Sequence, residues 1–484
     1  MLVTFVAFYL LVSIGIGLYA ATRVKNTTDY VAAGRHLPLY IVTATVFATW
    51  FGSETVVGIS ATFLQEGLRG LWSDPFGASL CLILVGLFFA RPLYRLNLLT
   101  LGDYYRMRYG RTVEVLCSLA IVISYLGWVS AQITALGLVF NILSDGAISN
   151  QTGMLIGIAV VLAYTLFGGM WSVALTDFMQ MTIIVVGLFY IAWVVSGMAG
   201  GVDTVVAHAE AAGRFNFLPA FEPRDIMAFL AGILTMGFGS IPQQDVFQRV
   251  NAARSERIAV TGSILGGSGY FVFAFVPIFI AYSATLIDPA LMNRYIDTDA
   301  QMILPQLILQ HMPLFAQVMF FGALLSAIMS TASGTLLAPS VTFSENILRN
   351  TFSGLDDRQF LWLNRVVVVV FAVFVLWYAL QTDESIHGMV EDAYKVTLAT
   401  AFAPLAVGLY WKRATTQGAL ASIVTGFVVW LGLEAVAPEA LIPPHFAGML
   451  AGLVAIVAGS LAPQRIRPAG GHAHHLSLGQ PRGR

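Results

Sequence analysis

Charge is scarce in this sequence. Only 11% of the 484 residues are Asp, Glu, Lys or Arg, against roughly 25% in ordinary soluble domains, and so thin a coat of charge excludes a water-soluble enzyme. The net charge of −1 provides no bulk field to recruit nucleic acid. Cysteine is nearly missing as well. Cys81 and Cys117 are the two, each inside an apolar run, so they form neither a disulfide framework nor metal-ligand spacing and read as core packing. No Gly-rich phosphate-cradling loop opens a helix, and no nucleotide-hydrolysing domain accompanies the apolar segments. Any work this chain does must therefore be driven by a gradient, with no cofactor implied.

What is abundant is apolar surface: 57% of residues are hydrophobic and mean hydropathy is +0.78. A membrane-spanning helix needs about 20 mostly apolar residues. Division at Gly, Pro and charge gives thirteen candidates, at 2–22, 38–65, 71–96, 113–144, 151–170, 174–198, 224–249, 257–286, 313–349, 359–381, 386–411, 414–436 and 444–463. The first lacks a basic start and is long enough to span, so it reads as a helix rather than a cleavable signal. Basic residues orient the chain, because loops rich in Lys and Arg stay cytoplasmic. Of the 25 Lys and Arg, 20 fall in alternate loops or the tail (Arg91 to Arg111, Arg249 to Arg257 and Lys412 with Arg413 among them), and only Arg69, Arg214, Arg224 and Arg294 fall in the opposite set. The N-terminus is thus expected outside and the C-terminus in the cytoplasm. The residue left over, Lys395, lies within the eleventh span. It has Glu391 and Asp392 at helical spacing for local pairs. Residues 464–484 read as a short, disordered cytoplasmic tail, in which His472, His474 and His475 have the composition of a metal-binding cluster but the setting of a solvated one.

Two spans carry polar, helix-breaking interruptions at corresponding places five spans apart. The second contains Ala48 to Glu54 (Ala-Thr-Trp-Phe-Gly-Ser-Glu), and the seventh contains Gly237 to Asp245 (Gly-Phe-Gly-Ser-Ile-Pro-Gln-Gln-Asp). Backbone freed at membrane depth must line a cavity or lie buried in protein. Paired interruptions of this kind point to a midplane binding site between inverted repeats. The ninth span carries Ser326, Ser330, Thr331, Ser333 and Thr335, with the three serines on one face. Hydroxyls and unwound carbonyls are hard oxygen ligands without net charge, suited to a monovalent cation that must also be released. Small polar residues also serve helix packing.

Four further stretches carry a resemblance: Thr-Leu-Gly-Asp-Tyr-Tyr-Arg-Met-Arg-Tyr-Gly at 100–110, Gly-Gly-Met-Trp-Ser-Val-Ala-Leu-Thr-Asp-Phe-Met-Gln at 168–180, Pro-Gln-Gln-Asp-Val-Phe-Gln-Arg-Val at 242–250 and Ala-Ile-Met-Ser-Thr at 327–331. Together they resemble the sodium:solute symporters along nearly the whole chain. The resemblance implies an all-α integral membrane protein of the LeuT type, occupying 1–463 as one transporter domain. A leading helix (2–22) would precede two inverted five-helix repeats (about 38–198 and 224–411) and two trailing helices (414–463). It also implies a sodium site made by the carbonyls of Ala48, Phe51 and Ala327 with the hydroxyls of Ser330 and Thr331. Asp177 matches an acid that contributes in some relatives to a second sodium site or its exit path. Ser333 is present beside it, but Gly334 stands where those relatives place a hydroxyl.

Within that family the stretches at 48–50, 82–92 and 299–305 resemble the high-affinity choline transporter branch, which surrounds a quaternary ammonium with aromatic rings. Trp50 and Trp128 fall on two of its cage positions, whereas Ala78 and Gln243 replace aromatics at two others. The expected function is sodium-coupled import of a small organic solute across the plasma (inner) membrane by alternating access. Two pockets fit the residues. In one, Trp50, Trp128 and Glu54 hold an amine or quaternary ammonium while Gln243 reads its polar end. In the other, Glu54 is neutralised internally, by Lys395 for instance, and Gln243 with Gln244 bind an amino acid, vitamin or carboxylate. A membrane sensor that binds the solute and signals through a partner is the rival of a different class.

Overall fold

The computed structural model describes residues 2–466, so the histidines at 472, 474 and 475 lie outside the described residues. Long apolar runs in a medium without water must satisfy their backbone internally, and helices do so within one segment. The described residues are accordingly helical, with one isolated bridge between Leu37 and Ala253. In chain order the elements that matter here are α1 (Leu2–Ala21), α2 (Leu39–Trp50), α3 (Glu54–Arg95), α4 (Arg111–Leu143) and α5 (Asn150–Met198). They are followed by α6 (Pro223–Gly239), α7 (Gln244–Ala252), α8 (Glu256–Ile287), α9 (Leu314–Thr351), α10 (Asp357–Gln381), α11 (Ile386–Thr400), α12 (Phe402–Tyr410), α13 (Thr416–Val436) and α14 (Pro444–Leu461).

Nine helices among the described residues are long and apolar enough to cross a membrane, and up to eleven if the bent pairs α6–α7 and α11–α12 each count as one span. That is fewer than the thirteen segments expected from hydropathy, and the difference lies in continuity of the backbone. α3 and α5 run for 42 and 49 residues, each longer than the roughly 20 that one crossing needs. Each contains residues that leave helical geometry: Gly67 (φ +69°) and Asp74 (φ −137°, ψ 125°) in α3, and Gly169 (φ +49°, ψ −139°) in α5. At Gly169 the need for glycine is physical. The positive φ disfavours any side chain, and a β-carbon there would meet the backbone of Tyr30.

Outward-facing positions are apolar. Trp193, Val373, Phe374 and Val428 are among the large hydrophobic side chains left exposed, a pattern that water would penalise and lipid does not. The polar residues instead turn inward. Thr45, Thr49, Glu54, Gln132, Asp177, Asp245 and Arg249 are all buried. Arg249, read from sequence as a loop cation, lies only 1% exposed, because α7 folds back into the protein after the 48° bend that follows Gly239.

Candidate functional site

The two interruptions form as local backbone events. α2 ends at Trp50, where Phe51 (φ −85°, ψ 77°) departs from helical geometry, and the helix resumes at Glu54. In the seventh segment Pro242 supplies no N–H, Gln243 is extended (φ −83°, ψ 138°), and α7 starts at Gln244. α9 packs against α2, its small residues Ala327 and Ser330 permitting close approach, as small side chains do between membrane helices. The Ser330 hydroxyl sits 3.0 Å from the Ala327 carbonyl and within hydrogen-bonding reach of the Ala48 carbonyl. Thr331 Oγ1 is buried and bonded to no protein atom. Ala48, Ala327, Ser330 and Thr331 thus meet at the break, with Phe51 at the turn itself. The other hydroxyls of the ninth segment go elsewhere. Ser326 pairs with Tyr9 of α1 at 2.8 Å, and Ser333 donates to the Ser330 carbonyl at 3.0 Å.

Three side-chain oxygens crowd the α-carbon of Gly52. The position where a β-carbon would stand lies 2.6 Å from Glu54 Oε2, 2.6 Å from Thr331 Oγ1 and 2.9 Å from Gln132 Oε1. Only a residue without a side chain leaves these oxygens where they are. Glu54 is 1% exposed. Its carboxylate accepts hydrogen bonds from Gln132 Nε2 at 2.7 Å and from the indole N–H of Trp128 at 3.3 Å. The orphaned Thr331 oxygen and this cradle make the donor set one that fits an alkali-metal ion, whose ligands are hard oxygens.

Beside the break four rings cluster. Trp50 and Trp128 meet edge to face at 5.9 Å between centroids, and Tyr394 of α11 lies 6.2 Å from Trp50 and 5.5 Å from Trp128. Tyr125 stacks on Trp128 at 5.8 Å. Beneath them Asp245 accepts from Trp50 Nε1 at 3.1 Å and from the Tyr125 hydroxyl. Beyond Tyr394, a cleft is lined by Asp74, Thr235, His387 and Glu391. Gln243 is bonded internally, its amide N–H reaching Ser124 at 3.0 Å and Thr397 at 3.3 Å. Gln244 is turned away from the rings, its side-chain oxygen accepting from the Leu101 N–H at 2.8 Å. Lys395 bonds to Asp392 at 2.6 Å, and Glu391 faces His387 at 3.9 Å.

Asp177 accepts from the hydroxyls of Thr45 and, at 3.3 Å, of Thr49. Thr49 Oγ1 in turn lies 2.5 Å from Arg249 Nη2, and Arg249 Nη1 donates to the Asp245 carbonyl at 2.9 Å. A side chain at position 334 would run into this guanidinium. The guanidinium thus reaches Asp177 through Thr49, and Gly334 is the residue that admits it.

Gln132, Asp245, Tyr125, Tyr394 and Arg249 were not read as site residues from sequence. Asp245 and Arg249 lie inside the stretch 242–250, where an acid and a base in an apolar span were the available signal. Gln132 and the tyrosines carried none beyond their position in apolar helices.

Over residues 30–426 the chain matches the sodium:solute symporter family. It is 29% identical over 440 residues to the human protein "High affinity choline transporter 1", covering 88% of this chain and 75% of the relative. It is 27% identical over 462 residues to a sodium/proline symporter of Haemophilus influenzae, covering 90% and 88%. In fold it resembles a Na+-coupled sialic acid symporter in a substrate-bound outward-open state, with a TM-score of 0.81 at 20% identity over 95% of this chain and 96% of that one. Mhp1, a nucleobase-cation-symport-1 family transporter, follows at a TM-score of 0.59 and 16% identity, covering 90% of this chain and 95% of that one. With a family match spanning most of its length and a shared helical architecture, this multi-pass membrane chain belongs to the sodium:solute symporter family, transporters in which sodium is the implied coupling ion.

Proposed function

We propose that the protein imports a small organic cation, an amine or quaternary ammonium such as choline, together with one sodium ion. The carrying observation is the adjacency of two sites: oxygen donors of Ala48, Ala327, Ser330 and Thr331 at the break, and the Trp50, Trp128, Tyr125 and Tyr394 rings immediately beside it. Ring faces attract a desolvated cation by about 0.5–2 kcal/mol each, and Asp245, bonded to two of the rings, supplies the opposite charge. Tyr394 and Tyr125 give this cluster the aromatic walls that Ala78 and Gln243 do not.

In this reading the long helices divide where they bend, α3 near Gly67 to Asp74 and α5 at Gly169. With each bent pair taken as one span and Leu39–Trp50 joined to the segment after the break, the chain then crosses the membrane thirteen times, N-terminus outside and C-terminus cytoplasmic. Spans two to six and seven to eleven form the inverted repeats, and residues 1–463 form one domain. Asp74 and Glu391 line a small cleft beyond Tyr394, which in this reading lies on the outer side and draws cations toward the rings. Sodium binding holds the break in its solute-binding shape, and the bundle rocks to release both ions inside. Because coupling is reciprocal, solute tightens sodium by the same factor.

Uptake of labelled choline, glycine betaine and proline into proteoliposomes, under sodium or potassium gradients, tests this reading. Sodium-dependent uptake of choline supports it, and uptake of none of the ammonium compounds overturns it. Trp128→Leu is expected to weaken affinity for the transported ammonium by about 1–2 kcal/mol, measured as KM, while a zwitterionic solute such as proline would lose less. Proline is the second reading, favoured by the similarity to the sodium/proline symporter. Thr331→Ala is expected to weaken sodium activation of uptake by about 1–3 kcal/mol. An unchanged sodium half-saturation would remove Thr331 from the ion site.

A further inference from the structure

We infer that the Glu54 carboxylate is itself a ligand of the coupling sodium, with the side-chain oxygen of Gln132 beside it. The inference rests on the sodium-coupled reading above and adds a charged donor to a set otherwise made of carbonyls and hydroxyls. Glu54 Oε2 and Thr331 Oγ1 each lie 2.6 Å from the same point over Gly52, and Gln132 Oε1 lies 2.9 Å from it. Three side-chain oxygens from α3, α4 and α9 therefore converge beside the Gly52 α-carbon, that of Gln132 also accepting from the Ser53 N–H at 3.0 Å. Thr331 Oγ1 is bonded to no protein atom and is fully buried. An orphaned hydroxyl beside a buried carboxylate is costly unless something bridges them, and a hard cation does so with both oxygens at once.

The charge balance points the same way. A carboxylate buried at membrane depth needs a positive partner. Among the described residues no Lys, Arg or His forms an ion pair with Glu54. Lys395 is committed to Asp392 at 2.6 Å, and Arg249 lies with Asp177 and Thr49. The solute's ammonium has its own carboxylate in Asp245, which is bonded to two of the rings. Among the described residues Glu54 is a buried carboxylate without a protein cation, as is Asp74, but only Glu54 stands beside Thr331.

The second carboxylate oxygen adds a consequence. Oε1 accepts from the Trp128 indole N–H, while Oε2 accepts from Gln132 Nε2 and lies on the Thr331 side. One carboxylate thus joins the sodium donors to the aromatic cluster, a direct link through which each bound cation reports to the other.

Sodium binding to the purified full-length protein in nanodiscs, measured with 22Na+ and no solute present, tests the inference. Glu54→Gln keeps the shape and loses the charge, and it is expected to raise the sodium Kd at least tenfold. Because a carboxylate favours the smaller ion through its higher field strength, the variant should also lose lithium affinity more than sodium affinity, a change in ratio that a merely structural role would not produce. Should Glu54→Gln fail to fold, Glu54→Asp and Gln132→Leu are read instead, each expected to raise the Kd at least threefold. Wild-type binding with a Kd that stays within twofold in these variants overturns the inference and leaves sodium coupling intact. Absence of sodium binding and of sodium-dependent uptake in the wild type would overturn the coupled reading and this inference with it.

Discussion

Arg249→Met is expected to destabilise the protein by about 3–5 kcal/mol, the cost of stranding a buried charge when one partner is removed. The guanidinium is 1% exposed and reaches Asp177 through Thr49 and Asp245 through its backbone carbonyl. Methionine fills much of the volume but leaves Asp177 without a cation nearby. The second substitution Asp177→Asn should restore a good part of the loss, since it removes the stranded charge, so the two changes should be strongly non-additive. The midpoint of thermal aggregation of the detergent-solubilised protein reads both effects. Equal midpoints for the wild type and Arg249→Met would show that the guanidinium balances nothing. The same experiment bears on stoichiometry. If the fixed cation stands where other arrangements would hold a second sodium, the wild type should activate with a Hill coefficient of one.

Gly52→Ala is expected to leave the fold intact and to raise the sodium half-saturation of uptake by roughly 5- to 150-fold, corresponding to about 1–3 kcal/mol. The added methyl would meet Glu54 Oε2 and Thr331 Oγ1 at 2.6 Å and Gln132 Oε1 at 2.9 Å. All three belong to side chains, and two are the ends of flexible ones, so they can retreat without moving the backbone. Retreat spares the fold but scatters the oxygens that would converge on the ion. Size-exclusion profiles and sodium titrations of uptake together separate these consequences. A normal sodium response in this variant would show that the oxygens crowding Gly52 are not used for binding.

The two substitutions also mark the line between what was readable along the chain and what was not. The apolar segments, the breaks near Ala48 and Gly237, and the hydroxyl-bearing face at 326–335 were visible because each depends on residues close together in sequence: hydropathy over some twenty positions, a proline without its N–H, or serines at helical spacing. Trp50 and Trp128 were recognisable by resemblance, and they meet in the structure. By contrast Gln244 turns to Leu101, Ser326 turns to Tyr9, and Arg249, which sequence placed in a cytoplasmic loop, is buried. These outcomes depend on which helix comes to lie against which.

Sequence alone therefore determined that this is a many-helix membrane protein with two interrupted segments, because burial in lipid acts on each stretch of chain locally. Only the tertiary structure decided which buried polar side chains meet. Glu54 and Thr331 are separated by 277 positions in the chain yet both crowd the α-carbon of Gly52, and Tyr394 completes a cluster begun by Trp50. Electrostatics and coordination act through space at a few ångströms, and only packing of the helices brings residues so distant in sequence within that range.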